Sequence, residues 1–118
     1  MRKPFRRLSA TVLTVAGLLG AVSIASAGDA LEEGKKLAFD KKKGNCLACH
    51  VIAGGDQAGN IAPPLVVMKA RFPDKAVLRA QVYDARVKNP NTIMIPFGPH
   101  GVMSDEEIDK VVDFIYTL

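Results

Sequence analysis

Residues 44–50 read GNCLACH and contain both cysteines of the chain and one of its two histidines. Cys46 and Cys49 are three positions apart, and His50 follows the second cysteine directly. Such a pair can form a disulfide, half of a zinc site, a redox-active dithiol, or an anchor for a larger group. Because each of these needs different surroundings, the rest of the chain distinguishes between them.

Three of the four interpretations find little support in the sequence. A disulfide across three positions closes too small a loop to add much stability. Redox-active CxxC motifs occur in a strand-helix-strand context, and the sequence has no strand pattern. Structural zinc takes four ligands, and outside residues 44–50 only His100 offers a further nitrogen or thiolate donor.

The fourth interpretation uses every reactive residue of the motif, because CxxCH is the attachment signature of a c-type haem. On a helical turn, positions i, i+3 and i+4 share one face. The thiols of Cys46 and Cys49 can therefore bond to the haem vinyl groups while His50 points at the iron. The sequence predicts one covalently attached haem c.

A second axial ligand for the iron is expected from the loop NPNTIMIPFG. Met94 lies in the middle of this loop, where an extended backbone braced by Pro96 presents its side chain. His100 is the second candidate, whereas Met68 is expected to pack in the core and Met103 to act as a hydrophobic staple for the last helix. Histidine and methionine ligation favours the reduced iron and leaves no position for oxygen, so it predicts electron transfer.

Residues 1–27 have the pattern of a secretory signal peptide. A basic head is followed by an apolar run to about Ile24 and by the small residues Ala25, Ser26 and Ala27. We expect cleavage after Ala27, with an uncleaved membrane anchor as the alternative. Cleavage leaves residues 28–118 as one monohaem cytochrome c domain, soluble in the periplasm and without membrane insertion.

The charge of this predicted domain gives no reason to expect nucleic-acid binding. Of the sixteen basic and twelve acidic residues, four basic ones lie in residues 1–27 and no acidic ones do. Residues 28–118 are therefore electrically neutral, and the positive charge of the full chain belongs to the leader.

The same region predicts an all-α fold of three to five helices wrapped around one haem. Apolar spacing indicates a helix over about 29–41, a short one near 46–51, and another from Asp74 to about Lys88. Gly34 interrupts the first of these, and we expect another helix to approach it closely.

The last helix begins at a capping box, in which Ser104 and Glu107 satisfy each other's backbone donors. Its apolar stripe consists of Ile108, Val111, Val112 and Ile115. Long loops rich in glycine and proline connect the helices, and such loops in a small domain usually enclose something.

In this order the features resemble a class I c-type cytochrome, and more narrowly the SoxX family. The resemblance spans about residues 31–117 and is carried by the stretches GNCLACH, GNIAPPL, MKARFPD, NPNTIMIPFG and SDEEIDKVVDFI. CxxCH alone specifies haem, and the other stretches narrow the family. The family often has a second proline after the methionine ligand, where this chain has Ile95, a difference that bears on the stiffness of the loop.

The resemblance implies a role as the small monohaem subunit of the SoxAX complex. SoxX-like proteins pair with a larger haem-containing SoxA-like subunit, and the complex oxidatively joins thiosulfate to a cysteine of a periplasmic carrier protein. This L-cysteine S-thiosulfotransferase chemistry belongs to the larger subunit, so we expect no catalytic residue in this chain. The small subunit accepts electrons and passes them singly to a soluble cytochrome c.

A freely diffusing class I cytochrome c without a fixed enzyme partner is the alternative. An enzyme subunit has a permanent interface with its partner, whereas a diffusing carrier has none. A subunit is expected to carry an apolar patch near the exposed haem edge, formed by the loops at 60–68 and 94–103.

Overall fold

The computed structural model describes residues 26–57 and 59–118, and the predicted signal peptide lies outside them except for Ser26 and Ala27. The described part contains four α-helices and two single 3-10 turns, at Cys46–Ala48 and Ala85–Val87. The α-helices are α1 (Ala27–Phe39), α2 (Met68–Arg71), α3 (Lys75–Tyr83) and α4 (Asp105–Ile115). Since this part has no strand, the predicted all-α class is confirmed.

The helix predicted from Asp74 to about Lys88 is shorter than its apolar pattern indicates. Asp74 caps its first turn, accepting a hydrogen bond from the Ala76 amide at 2.8 Å. The helix ends at Tyr83 because Asp84 leaves the helical region, with φ −152° and ψ 94°. The Asp84 carboxylate then accepts a hydrogen bond from the Arg86 amide, which starts the following 3-10 turn. An aspartate that bonds to nearby amides competes with helix continuation.

The predicted capping box at the start of α4 is present. The Glu107 amide donates to Ser104 Oγ at 3.2 Å, and the Ser104 amide donates to the Glu107 carboxylate at 2.9 Å. All four residues of the predicted apolar stripe are buried, and Phe114 is buried beside them.

The centre of the fold is the crossing of α1 and α4 at Gly34. A Cβ atom at Gly34 would meet the carbonyl oxygen of Lys110 and would lie 3.1 Å from Phe114 Cβ. Phe39 packs edge-on against Phe114, with ring centroids 5.9 Å apart. The close approach that Gly34 predicts is therefore present.

Ion pairs align α3 with α4 on the surface. The Arg79 guanidinium donates to Asp105 at 2.7 Å and to Asp109 at 2.6 Å, and Lys75 pairs with Asp113 at 2.6 Å. Exposed pairs of this kind each add little to the stability of the fold. None of the helices in residues 26–57 and 59–118 combines the length and apolarity that a bilayer-spanning segment needs.

We predict that Gly34→Ala lowers the free energy of unfolding by about 1–3 kcal/mol, because the added methyl group meets a backbone carbonyl that cannot move by a rotamer change. Urea unfolding of the haem-loaded protein measures this change. Glu32→Ala, at an exposed position of the same helix, is the control. Equal stability of the two variants would contradict the close helix crossing.

Candidate haem site

The CxxCH motif forms one tight turn directly after α1. Asn45 adopts a left-handed conformation with φ 47°, and Cys46–Ala48 form a single 3-10 turn instead of the short helix predicted near 46–51. The amides of Cys49 and His50 both donate to the Cys46 carbonyl, at 3.2 and 2.8 Å. The turn brings both thiols and the imidazole to one side of the chain.

This side faces a cavity of about 540 Å³ between the loops. Such a volume lies within the range of cofactor sites. Cys46, Cys49, His50 and Met94 all line it. Much of the remaining wall is apolar, formed by Leu65, Met68, Leu78, Val82, Phe97 and Ile115.

His50 is oriented by the proline loop that follows the motif. Its Nδ1 atom lies 2.6 Å from the carbonyl oxygen of Pro63. A carbonyl oxygen only accepts hydrogen bonds, so Nδ1 carries the proton and Nε2 keeps its lone pair for a metal ion.

Backbone hydrogen bonds hold the proline loop against the motif. The Ala62 amide donates to the Cys49 carbonyl at 3.0 Å, and the Leu65 amide donates to the Val51 carbonyl at 2.9 Å. Pro63 therefore lies between two fixed points. These two bonds limit the movement of the loop beside His50.

Among the four candidates for the second axial ligand, the structure brings only Met68 and Met94 to the cavity. Met94 is half-buried in the loop between α3 and α4, and its amide donates to Thr92 Oγ1 at 3.1 Å. Met68 is fully buried in the core, and its sulfur atom lies 3.6 Å from Arg71 Nη1. Met103 is buried away from the cavity, and His100 is exposed outside it.

The loop that carries Met94 is anchored to α3 through Gly98. The Gly98 amide donates to the Tyr83 carbonyl at 3.1 Å, and a Cβ atom at Gly98 would meet the Tyr83 ring. Pro96 and Phe97, which precede Gly98, are buried. The close packing of Gly98 under the Tyr83 ring thus fixes the position of the Met94 loop relative to α3.

The Cys46 thiol lacks the lowered pKa of a redox-active cysteine. Burial raises the pKa of the Cys46 thiol to about 11, whereas catalytic and redox cysteines have lowered pKa values. Within residues 26–57 and 59–118, no group of three or more His, Cys, Asp or Glu side chains is arranged to hold a metal ion. The zinc interpretation thus finds no further ligands there.

Residues 31–118 match the family model described as Cytochrome c. The chain belongs to the cytochrome c family. It is therefore a c-type cytochrome that carries covalently bound haem and acts in electron transfer. The cavity fits this group, because it combines two thiols, a histidine with a free Nε2 atom and an apolar wall.

The chain is also similar to a protein from Aquifex aeolicus (strain VF5) described as an uncharacterized lipoprotein. The two are 34% identical over 79 residues, which is 64% of this chain and 37% of the relative. The aligned part thus spans little more than a third of the relative's length.

Sequence reasoning missed Arg71, which lines the cavity from the end of α2. Its guanidinium donates to the carbonyl of Pro64 at 2.7 Å. The stretch MKARFPD contains this arginine, but no spacing rule links a residue in a four-residue helix to a carbonyl seven positions earlier. The contact between Arg71 and Pro64 is therefore visible only in the tertiary structure.

We predict that Gly98→Ala destabilises the haem-loaded protein by about 1–3 kcal/mol, because the added methyl group collides with the Tyr83 ring. In a Tyr83→Ala background the same change is expected to cost about 1 kcal/mol less, since the ring is gone. Denaturant unfolding of the four proteins in this double-mutant cycle measures the difference. Strictly additive changes in the free energy of unfolding would show that the Tyr83 ring does not fix the position of the Met94 loop.

Proposed function

We propose that this cytochrome is the electron-accepting SoxX subunit of a periplasmic SoxAX complex. The observation that carries the proposal is the apolar rim, defined as Ile61, Ile93 and Ile95, at the mouth of the haem cavity. These residues are 62%, 78% and 46% exposed, although the side that faces the cavity would be covered by bound haem; Val66 and Val67, in the loop that follows Ile61, do not line the cavity and are 48% and 64% exposed. Exposed apolar side chains grouped near one opening are typical of a surface that a partner covers.

For the haem site we infer that Cys46 and Cys49 hold the porphyrin through thioether bonds. His50 Nε2 is the first axial ligand, and Met94 Sδ is the second. When bound, the haem iron supplies a one-electron redox centre. His50 is kept in one tautomer by Pro63, and Met94 closes the second axial position against small molecules.

The proposed ligand set separates this chain from the sulfur chemistry. Joining thiosulfate to a cysteine thiolate forms one sulfur–sulfur bond and releases two electrons, with no net atom lost. The chain has two cysteines, and both are used to hold the cofactor. It therefore offers no thiol to thiosulfate, and its task is to accept the two electrons one at a time and pass them to a soluble cytochrome c.

Export supports the same role. The basic head, apolar run and small residues in residues 1–27 fit a signal peptide, and similarity to a protein described as a lipoprotein is in line with export. We propose the periplasm as the location, where the larger haem subunit and the carrier protein of a thiosulfate-oxidising complex would also lie.

Met94→Ala is predicted to abolish the near-infrared sulfur-to-iron charge-transfer band of the oxidised protein, because no thioether then reaches the iron. Absorption spectroscopy of the purified variant measures the band. Met68→Ala and Met103→Ala are the matched controls, since Met68 lines the cavity and Met103 is buried outside it. Survival of the band in Met94→Ala would refute the ligand assignment.

Ile93→Lys is predicted to reduce co-purification with the larger haem subunit about tenfold, because a lysine at the centre of an apolar contact must lose its hydration. The experiment uses the chain expressed in its source and followed by haem staining. Val77→Lys is the control, since Val77 is 38% exposed on α3 and does not line the cavity.

The same preparation tests the sulfur reaction. In the native complex, thiosulfate and the carrier protein together are expected to reduce the haem of this chain, whereas thiosulfate with the isolated chain is not. Elution of the native protein as a one-haem monomer under all conditions would contradict the subunit role and favour a freely diffusing electron carrier.

A further inference from the structure

The Pro63–Pro64 pair connects the iron-binding histidine to an arginine. Neither proline has an amide hydrogen, so the polar groups of this pair are its two carbonyls. The Pro63 carbonyl accepts from His50 Nδ1 at 2.6 Å, and the Pro64 carbonyl accepts from Arg71 Nη1 at 2.7 Å. Each carbonyl thus has one side-chain donor.

The short helix α2 places Arg71 beside these prolines. Val67, which precedes α2, has φ 47° and ψ 41°, a left-handed conformation that is unusual for a β-branched residue. Its carbonyl accepts from the amides of Ala70 and Arg71, at 3.0 and 3.1 Å, while the Met68 amide donates to the carbonyl of Leu118 at 2.9 Å. The reversal at Val67 turns the chain back so that the Arg71 side chain reaches Pro64.

Arg71 differs from the other arginines for which the structure gives contacts. Arg79 and Arg86 pair with aspartates. The contacts of the Arg71 guanidinium are instead the Pro64 carbonyl and the Met68 sulfur, the latter at 3.6 Å. The Arg71 side chain lines the haem cavity, so its charge is directed to a backbone carbonyl at the site.

We propose that Arg71 is a positioning residue for His50 and acts through the Pro63–Pro64 pair. The pyrrolidine ring of Pro64 fixes its φ angle, so only the ψ angle of Pro64 is left to change the orientation of the Pro63 carbonyl relative to the Pro64 carbonyl. By holding the Pro64 carbonyl, Arg71 also holds the Pro63 carbonyl on the His50 Nδ1–H group. This inference rests on the proposed assignment of His50 as the axial ligand.

The contact has an electronic consequence. A hydrogen bond from Nδ1–H to a carbonyl makes the imidazole a stronger donor to its metal, which favours the oxidised iron. Weakening this bond therefore raises the reduction potential. Loss of a positive charge near the haem has the opposite effect, because it stabilises the more positive oxidised state. Both effects act in any variant that removes the Arg71 guanidinium, so the exchange rate of the His50 Nδ1–H group, and not the potential, tests the positioning role.

The test is hydrogen exchange of the His50 Nδ1–H group, followed by NMR in the reduced, haem-loaded protein with 15N-labelled histidine. In Arg71→Met the exchange is expected to be about tenfold faster than in the unmodified protein, as for the weakening of one charge-assisted hydrogen bond. If Arg71→Met yields no haem-loaded protein, Arg71→Ala removes the same hydrogen bond and takes its place.

Arg86→Met is the matched control, because it also removes an exposed guanidinium but one that bonds to Asp84. Its exchange rate is expected to stay within about twofold of the unmodified protein, as is usual for a surface change away from the contact. Unchanged exchange in Arg71→Met or equal acceleration in Arg86→Met would each overturn the proposal.

A separate signal reports the ligand assignment itself. The ring protons of an iron-bound histidine are strongly shifted by the haem ring current. Absence of such shifted His50 protons in the unmodified protein would refute His50 as ligand. Normal shifts with unchanged exchange in Arg71→Met would refute only the role of Arg71.

Discussion

The crossing of α1 and α4 at Gly34 is the contact on which the rest of the structure depends. It brings the Lys110 backbone against the middle of α1 and fixes both ends of the folded chain. The Gly44 amide donates to the Leu37 carbonyl at 3.0 Å, which ties the haem motif to the end of α1. The Leu118 carbonyl accepts from Met68 at 2.9 Å, which ties α2 to the residues after α4. The loops are thus held from both ends.

Two loops with different supports enclose the cavity. The loop on the side of His50 is bonded to the backbone of the haem motif and to Arg71, so it is held by hydrogen bonds. The loop on the side of Met94 has one backbone hydrogen bond to α3, from the Gly98 amide to the Tyr83 carbonyl, and is otherwise held by the packing of Gly98 under Tyr83 and by buried Pro96 and Phe97. This division matches the proposed ligands, since imidazole orientation depends on one hydrogen bond, whereas a thioether is placed by shape alone.

Features with a local cause could be predicted from the sequence. CxxCH places its donors within one turn, and Ser104 with Glu107 caps a helix whatever lies elsewhere. The glycine at position 34 indicates a close helix contact but not which helix makes it. The helix α2 and the left-handed Val67 before it could not be predicted, because the Met68 amide bonds to the distant Leu118 carbonyl. The early end of α3 at Tyr83 could not be predicted either, because the Asp84 side chain bonds to the Arg86 amide and competes with the helix. The contact of Arg71 could not be predicted for the same reason, because Arg71 lies at the end of α2.

The apolar rim and the neutral charge of residues 28–118 bear on how such a cytochrome would find its partners. Long-range steering needs a large net charge or a strong charge patch, and residues 28–118 carry equal numbers of acidic and basic residues. Val66 and Val67, by contrast, do not line the cavity and are 48% and 64% exposed in the loop that follows Ile61. Contact through an apolar surface without strong steering suits a partner that stays bound better than one met by diffusion at each turnover. That balance favours the proposed subunit role over a mobile carrier.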